Sequence, residues 1–221
     1  MTKYEGKKYY QSEKVAKKYN TQYEGKLSLR NFRIRLIGKF EELKFKGFLK
    51  KVPKNGKVLD IACGTGRYTR ILLQNKFIVT ATDISKEMIE FTKKNSHGLE
   101  GLADIKIADA AKLPFKNNSF DGITCIRLYQ RVPHSERVLM LKEIKRLSKD
   151  WAIVFFGLEN SFLRIRNKVR RFFIKGRPSN PYPATREEML SEIESAGLKF
   201  IKGSWVFPGL ASGYISLIDC R

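Results

Sequence analysis

Val58-Leu-Asp-Ile-Ala-Cys-Gly-Thr-Gly-Arg-Tyr-Thr69 is the stretch from which the rest of this 221-residue chain is read. Val58, Leu59 and Ile61 make a short apolar run, as expected of a parallel strand buried on both faces. The run ends at Gly64-Thr65-Gly66, and helical spacing follows at Tyr68, Ile71 and Leu72. Strand, glycine turn and helix together let backbone approach a ligand at a helix N-terminus. A dinucleotide fingerprint requires a third glycine where Thr69 stands, which disfavours a nicotinamide or flavin cofactor. Asp60, at the strand's end, supplies instead a carboxylate suited to a cationic amine.

Outward from this stretch, apolar runs alternate with helical patterns. Strands are expected at about 57–62, 77–82, 104–108, 120–126 and 150–156, with helices at 67–75, 85–95 and 135–148. Such alternation predicts a parallel sheet with right-handed crossovers and helices on both faces. Thr185-Arg-Glu-Glu188 reads as the capping box of a last helix whose Met189, Ile193 and Ala196 face inward, ending at Gly197. Leu198 to Ile201 and Tyr214 to Ile218 close the sheet, the final strand antiparallel. The expected fold is α/β, Rossmann-like and doubly wound: a seven-stranded, mainly parallel sheet with an antiparallel last strand. One domain is expected, with an N-terminal helical cap (1–56), a ligand-binding core (57–157), a basic lid or insert (158–183) and a C-terminal helix and strand pair (184–221). In the cap, Leu29 to Leu49 carries Phe32, Leu36, Ile37, Phe40 and Leu43 at helical spacing, and an earlier helix follows Ser12 with Val15, Ala16 and Tyr19. Ligands of such sheets bind beyond the carboxyl ends of the strands. Asp60, Gly64, Asp83, Asp109 and Arg127 all fall there.

Three spaced elements carry a resemblance. Val58 to Gly66, then Thr80-Ala-Thr-Asp83, then Ile107-Ala-Asp-Ala-Ala-Lys-Leu-Pro-Phe115 followed by Ser119-Phe-Asp-Gly-Ile-Thr-Cys125, resemble the successive motifs of class I S-adenosylmethionine (SAM)-dependent methyltransferases. The likeness covers roughly Lys57 to Lys149; the alternative is another nucleotide-binding doubly wound domain using the same turn. It implies SAM as methyl donor and S-adenosylhomocysteine (SAH) as product. It implies that Gly64 and Gly66, flanked by Ala62 and Thr65, pass beneath the methionyl part, with Asp60 near its ammonium. Asp83 is then within reach of the ribose diol, Ile84 and Met88 sandwich the adenine, and Asp109 with the Ala110 amide meets its edge. Arg67 either meets the methionyl carboxylate or is exposed, and Asp83 alternatively caps the following helix. Tyr19 and Tyr23 are candidates for cofactor contacts from the N-terminal helices, or are packing aromatics. Asp121 is assigned to structure.

Methyl transfer from a sulfonium requires alignment and exclusion of water, and a general base only for some acceptors. The acceptor is expected at Ile126-Arg-Leu-Tyr-Gln-Arg-Val-Pro133. Many small-molecule relatives place a His where Arg131 stands, so a histidine-base mechanism is in doubt, and His134 reads as a helix-start residue. No catalytic residue is assigned. Three nucleic-acid and protein chemistries lack their signatures. The place after the fourth strand reads Ile126-Arg-Leu-Tyr129 rather than an Asn-Pro-Pro-Tyr-like tetrad, no Cys follows a Pro, and no paired-glutamate loop is present. Asn180-Pro-Tyr-Pro183 lies after the fifth strand and reads as loop punctuation.

The chain carries 44 Lys and Arg against 22 acids, a net +22, of which residues 1–57 hold +12. Such a field favours anionic partners, RNA among them, with salt-sensitive affinity; a lysine-rich surface without function is the alternative. Between Phe162 and Arg177 lie seven basic residues and no acid, with Phe162, Ile165, Val169 and Phe172 on one helical face. This basic amphipathic segment suits a lid over the acceptor or contact with an anionic membrane surface. No apolar run reaches membrane-spanning length and the start lacks a signal-peptide hydrophobic region. Cys63, Cys125 and Cys220 lack metal-ligand spacing and fit buried thiols in a reducing cytoplasm. The expected partner is a small-molecule or lipid-like acceptor, possible anionic character included, in a cytoplasmic enzyme without a metal.

Overall fold

The computed structural model describes residues 12–21, 29–159, 162, 164–165, 181–208 and 211–221. Two N-terminal helices, α1 (Glu13–Thr21) and α2 (Leu29–Leu49), precede β1 (Lys57–Ile61), α3 (Arg67–Gln74), β2 (Ile78–Asp83), α4 (Lys86–Ser96) and β3 (Leu102–Ile107). Then follow β4 (Phe120–Cys125), a short 3₁₀ turn (Tyr129–Arg131), α5 (His134–Leu147), β5 (Ser148–Gly157), α6 (Arg186–Ser195), β6 (Lys199–Trp205) and β7 (Gly213–Asp219). The expected boundaries hold to within two residues from β1 to β5. β6 runs further than expected, to Trp205, because it pairs with β7 along its length.

The sheet order is β3-β2-β1-β4-β5-β7-β6, with β7 antiparallel to both neighbours. The chain steps outward from β1 to β3 and then returns to the other side of β1, so the order reverses between β1 and β4. That reversal opens a crevice at the carboxyl ends of the two strands. Alternation along β1 divides the core. Leu59 and Ile61 join Ile123, Met140, Leu141, Ile144, Met189 and Ile193 under α5 and α6. Val58 faces the opposite way, with Phe45, Phe48, Tyr68, Ile71 and Leu72 under α2 and α3. α1 packs through Val15 and Ala16 on Met88 of α4.

α2 forms over the expected span, Leu29–Leu49. Of the apolar residues at helical spacing along it, Phe32, Leu36 and Leu43 are exposed, and Ile37 and Phe40 are only half-buried. The buried positions are Phe45, Phe48, Leu49 and, among charged residues, Glu41 at 1% exposure. The reason is that the helix packs on α3 and β7 over its C-terminal half, where a buried carboxylate finds an arginine.

Asp121 has the structural role assigned to it: one carboxylate oxygen accepts from the Lys57 amide at 2.8 Å and the other from Lys149 Nζ at 2.9 Å. The last helix carries its capping box, with Glu188 N donating to Thr185 Oγ1 at 3.1 Å and Thr185 N to Glu188 Oε2 at 2.7 Å. All three cysteines are free and buried. Burial pushes the Cys63 and Cys125 thiols well up and that of Cys220 to about 12, so they are inert. Among the described residues no helix is long and apolar enough to cross a membrane, and no cluster of metal-ligating side chains occurs.

Candidate active site

The crevice at the β1–β4 switch is a cleft enclosing about 1170 Å³, its open mouth included. Three carboxylates enter it from successive strand ends: Asp60 in β1, Asp83 closing β2 and Asp109 after β3. The opposite wall comes from the segment after β4, through Ile126, Arg127, Leu128, Arg131 and Val132, backed by Met140 of α5. Tyr19 of α1 closes over it.

Asp60 is 1% exposed. It stands in register with Thr124 across the β1–β4 pair, and Thr124 Oγ1 donates to its Oδ1 at 2.9 Å. Thr69 Oγ1, in the first turn of α3, donates to its Oδ2 at 2.7 Å. The residue that replaces a third glycine therefore positions the carboxylate. Burial outweighs these two hydroxyls and, with the nearby Asp83 charge, raises Asp60 to about 6.

Asp83 holds the glycine turn. Its Oδ2 accepts from Gly64 N and its Oδ1 from Ser85 N, both at 2.9 Å. Ser85, not Asp83, caps α4, accepting from Met88 N at 3.2 Å. Burial raises the Asp83 carboxyl against these backbone donors. Thr92 Oγ1 donates to Gly64 O at 2.8 Å, and Asn95 Nδ2 bridges Thr65 O at 2.8 Å to Asn20 Oδ1 at 2.9 Å. The turn is thus tied to α4 and, through it, to α1.

Of the residues singled out in the sequence, Asp60, Ala62, Gly64, Thr65, Arg67, Asp83, Ile84, Met88, Asp109, Ala110, Arg127 and Tyr19 all line this cleft. Gly66 does not. Its φ is +83°, and a Cβ there would stand 3.1 Å from Thr92 Cα, so its missing side chain accommodates α4. At Gly64, with φ +60°, a Cβ would meet nothing within 4 Å, leaving its face open. Arg67 is not simply exposed: it reaches α2, donating to Gly38 O at 2.6 Å and to Glu42 Oε2 at 3.4 Å. Tyr23 and most of the basic insert lie outside the described residues.

Sequence reasoning missed Tyr68, Ala108 and Met140 as cleft residues and, behind the cleft wall, the buried Glu41. The Tyr68 hydroxyl donates to Glu41, and Arg127 grips the same carboxylate with Nε and Nη2. The available signal was the Glu41-Glu42 pair standing alone in an otherwise basic helix. Arg131 Nε donates to Arg127 O at 3.1 Å, and its guanidinium lies 5.6 Å from the Tyr19 ring centroid. His134 begins α5 and does not line the cleft; its Nδ1 lies 2.7 Å from the buried Glu192 Oε1.

A family profile described as a methyltransferase domain matches residues 58–150, the span that carries these strand-end residues. With the fold and the motif positions, this identifies residues 58–150 as a methyltransferase domain similar to those of the class I SAM-dependent methyltransferases, a class whose cofactor is SAM. Among particular relatives, an uncharacterised protein of Methanocaldococcus jannaschii is 31% identical over 157 residues, 71% of this chain and 52% of that protein. The demethylmenaquinone methyltransferase of Staphylococcus epidermidis is 36% identical over 106 residues, 47% of this chain and 43% of that enzyme. The chain thus spans about half the length of these curated relatives. Among solved structures, the magnesium protoporphyrin IX methyltransferase of Synechocystis with bound SAH superposes with a TM-score of 0.80 at 17% identity, covering 96% of this chain and 97% of that one. That likeness is one of fold.

Proposed function

We propose that this chain transfers a methyl group from SAM to a small, apolar or lipid-like acceptor by in-line displacement. The observation that carries the reading is the cleft itself: three carboxylates and an open-faced glycine on the β1–β3 side, and an apolar wall with two arginines on the β4 side. The donor set fits the cofactor. A buried carboxylate held by two hydroxyls suits an ammonium, which offsets the desolvation of Asp60. The remaining lone pairs of Asp83 accept from ribose hydroxyls. Ile84 and Met88 flank the adenine, Asp109 accepts from its amino group and the Ala110 amide donates to its ring.

SAM supplies an activated methyl group on sulfur. The protein aligns an acceptor against it and excludes water, which suffices for large rate gains when the attacking atom is already nucleophilic. The names of the relatives, demethylmenaquinone and magnesium protoporphyrin IX methyltransferases, support a small-molecule acceptor. Calorimetry with SAM and SAH tests the reading. Saturable binding of both, lost in Asp83→Ala, is expected; absence of heat from either compound overturns it.

The net charge of +22 favours a second reading, an RNA acceptor. It predicts tRNA or rRNA binding that weakens steeply with salt, and no mobility shift at low salt would remove it. Phe162 and Ile165, exposed beside Arg164, support peripheral contact with an anionic bilayer, checked by co-sedimentation with phosphatidylglycerol vesicles.

A further inference from the structure

α2 buries one face and leaves the other uncovered. Phe45, Phe48 and Leu49 pack toward the sheet at no more than 6% exposure, whereas Phe32, Leu36 and Leu43 are 58%, 38% and 64% exposed. The exposed residues belong to one stripe. Phe32, Leu36, Lys39, Leu43 and Lys50 follow one another at whole-turn spacing, so they share the side opposite the packed face. Phe40, edge-on to Phe207 with ring centroids 5.0 Å apart, marks where that side meets the packed one.

Charge on this side has one sign. Lys39, Lys50 and Lys51 are exposed. The two acids of α2 are turned elsewhere: Glu41 is buried on Arg127, and Glu42 lies 2.7 Å from Lys46 and 3.4 Å from Arg67. Just past the helix, contact with Lys51 lowers the Lys202 ammonium of β6 below its ordinary value, so like charges crowd there. A second copy of this chain would bring lysine against lysine at a net +22 per chain. RNA phosphates would meet the lysines but leave Leu36 and Leu43 in water, since aliphatic side chains offer bases no stacking surface. An anionic bilayer satisfies both parts: headgroups take the ammonium groups and the acyl boundary takes the apolar side chains.

We propose that the outward side of α2 is a docking surface for an anionic phospholipid bilayer, with Phe32, Leu36 and Leu43 at the acyl boundary and Lys39 and Lys50 among the headgroups. It is a different surface from the Phe162 segment. The docking surface itself stands without the methyltransferase reading; its consequence for the acceptor rests on that reading. Two residues that line the cleft are bonded to the same helix, Arg67 donating to Gly38 O at 2.6 Å and the Tyr68 hydroxyl to Glu41. A helix laid on lipid therefore holds the cleft beside the bilayer, where a lipid-soluble acceptor is concentrated.

The test is flotation of the full chain with phosphatidylcholine vesicles, with and without phosphatidylglycerol. Binding is expected only with phosphatidylglycerol and is expected to weaken in strong salt. Phe32→Ser, Leu36→Ser and Leu43→Ser together leave every charge in place and are expected to weaken it about tenfold or more. Lys39→Gln with Lys50→Gln is expected to weaken it about twentyfold, near fivefold for each lysine at such a surface. Calorimetry with SAH, expected to be unchanged in both variants, reports that they are folded. No binding to phosphatidylglycerol vesicles overturns the proposal, as does binding that both variants retain. So does a dimer of the parent in light scattering that the triple variant makes monomeric, which assigns the surface to a second copy, or tRNA binding that the triple variant weakens, which assigns it to RNA. Failure of the parent to bind SAH would instead strike the methyltransferase reading and leave the vesicle result standing.

Discussion

Glu41, buried in the middle of α2, and Arg127, partly buried just beyond β4, form an ion pair across 86 residues of sequence. Arg127 Nε lies 2.8 and 2.9 Å from the two carboxylate oxygens and Nη2 lies 2.6 Å from Oε2. Arg127 takes a left-handed backbone, φ +67°, which a β-carbon makes costly. The pair, with Tyr68 as a further donor, fastens the N-terminal helix to the wall of the cleft.

Breaking that pair should be expensive. Glu41→Ala removes the carboxylate that Arg127 and Tyr68 both contact and is expected to cost about 2–4 kcal/mol in urea unfolding, less than a fully buried pair because Arg127 is partly exposed. Glu41→Ala combined with Arg127→Met should recover a substantial part of the loss, because no charge is then stranded. An equal or larger loss in the double variant would mean that packing rather than charge dominates.

Asp60 gives a pH signature. Its value in the fold, about 6, lies above the ordinary 3.8, so between those limits the folded chain holds a proton that the unfolded chain has released. The contribution of this group to stability is therefore greatest below about pH 4, declines as pH rises to about 6 and is flat beyond, a span of about 3 kcal/mol. Other carboxylates titrate in the same range, so the quantity to measure is the difference between parent and Asp60→Asn. That difference should vary over pH 4–6 and be constant above. SAH affinity should run the opposite way, rising with pH up to about 6, because the ammonium requires the carboxylate.

The two glycines of the turn should separate. Gly64→Ala meets only backbone strain, about 1–2 kcal/mol, but narrows the ligand face, so SAH binding should fall more than stability. Gly66→Ala adds collision with the α4 backbone at Thr92 and should be less stable than Gly64→Ala by about 1 kcal/mol or more. Paired urea midpoints and SAH titrations read both.

A second ion pair allows a control on His134. Arg137 and Glu192 join α5 to α6, with Nη2 2.6 Å from Oε1, and Arg137 Nη1 also donates to Tyr182 O at 3.1 Å. Glu192→Ala is expected to cost about 3–5 kcal/mol. His134→Ala, at an exposed helix start outside the cleft, should shift stability by under about 1 kcal/mol and leave turnover unchanged. A large fall in turnover would make His134 a participant in the chemistry.

Much of this was readable along the chain because the signals are local. Val58 to Thr69 declares strand, turn and helix through apolar spacing and two glycines, and the same alternation gives β2 to β5 nearly to the residue. Asp60, Asp83 and Asp109 were found because strand ends of a parallel sheet face one rim. The exposure of Phe32, Leu36 and Leu43 in α2 was not legible, because helical periodicity identifies a face without saying what will cover it.

Sequence by itself determined the elements and the rim, since hydrogen bonding and apolar alternation within a few residues specify them. Only the tertiary structure decided which groups on that rim are balanced and by what. Glu41 meets Arg127 through packing of α2 on the sheet, Arg67 turns toward Gly38 and Glu42, and the missing side chain of Gly66 makes room for α4. Charge compensation and close approach depend on distances between segments far apart in the chain, and no local pattern encodes those.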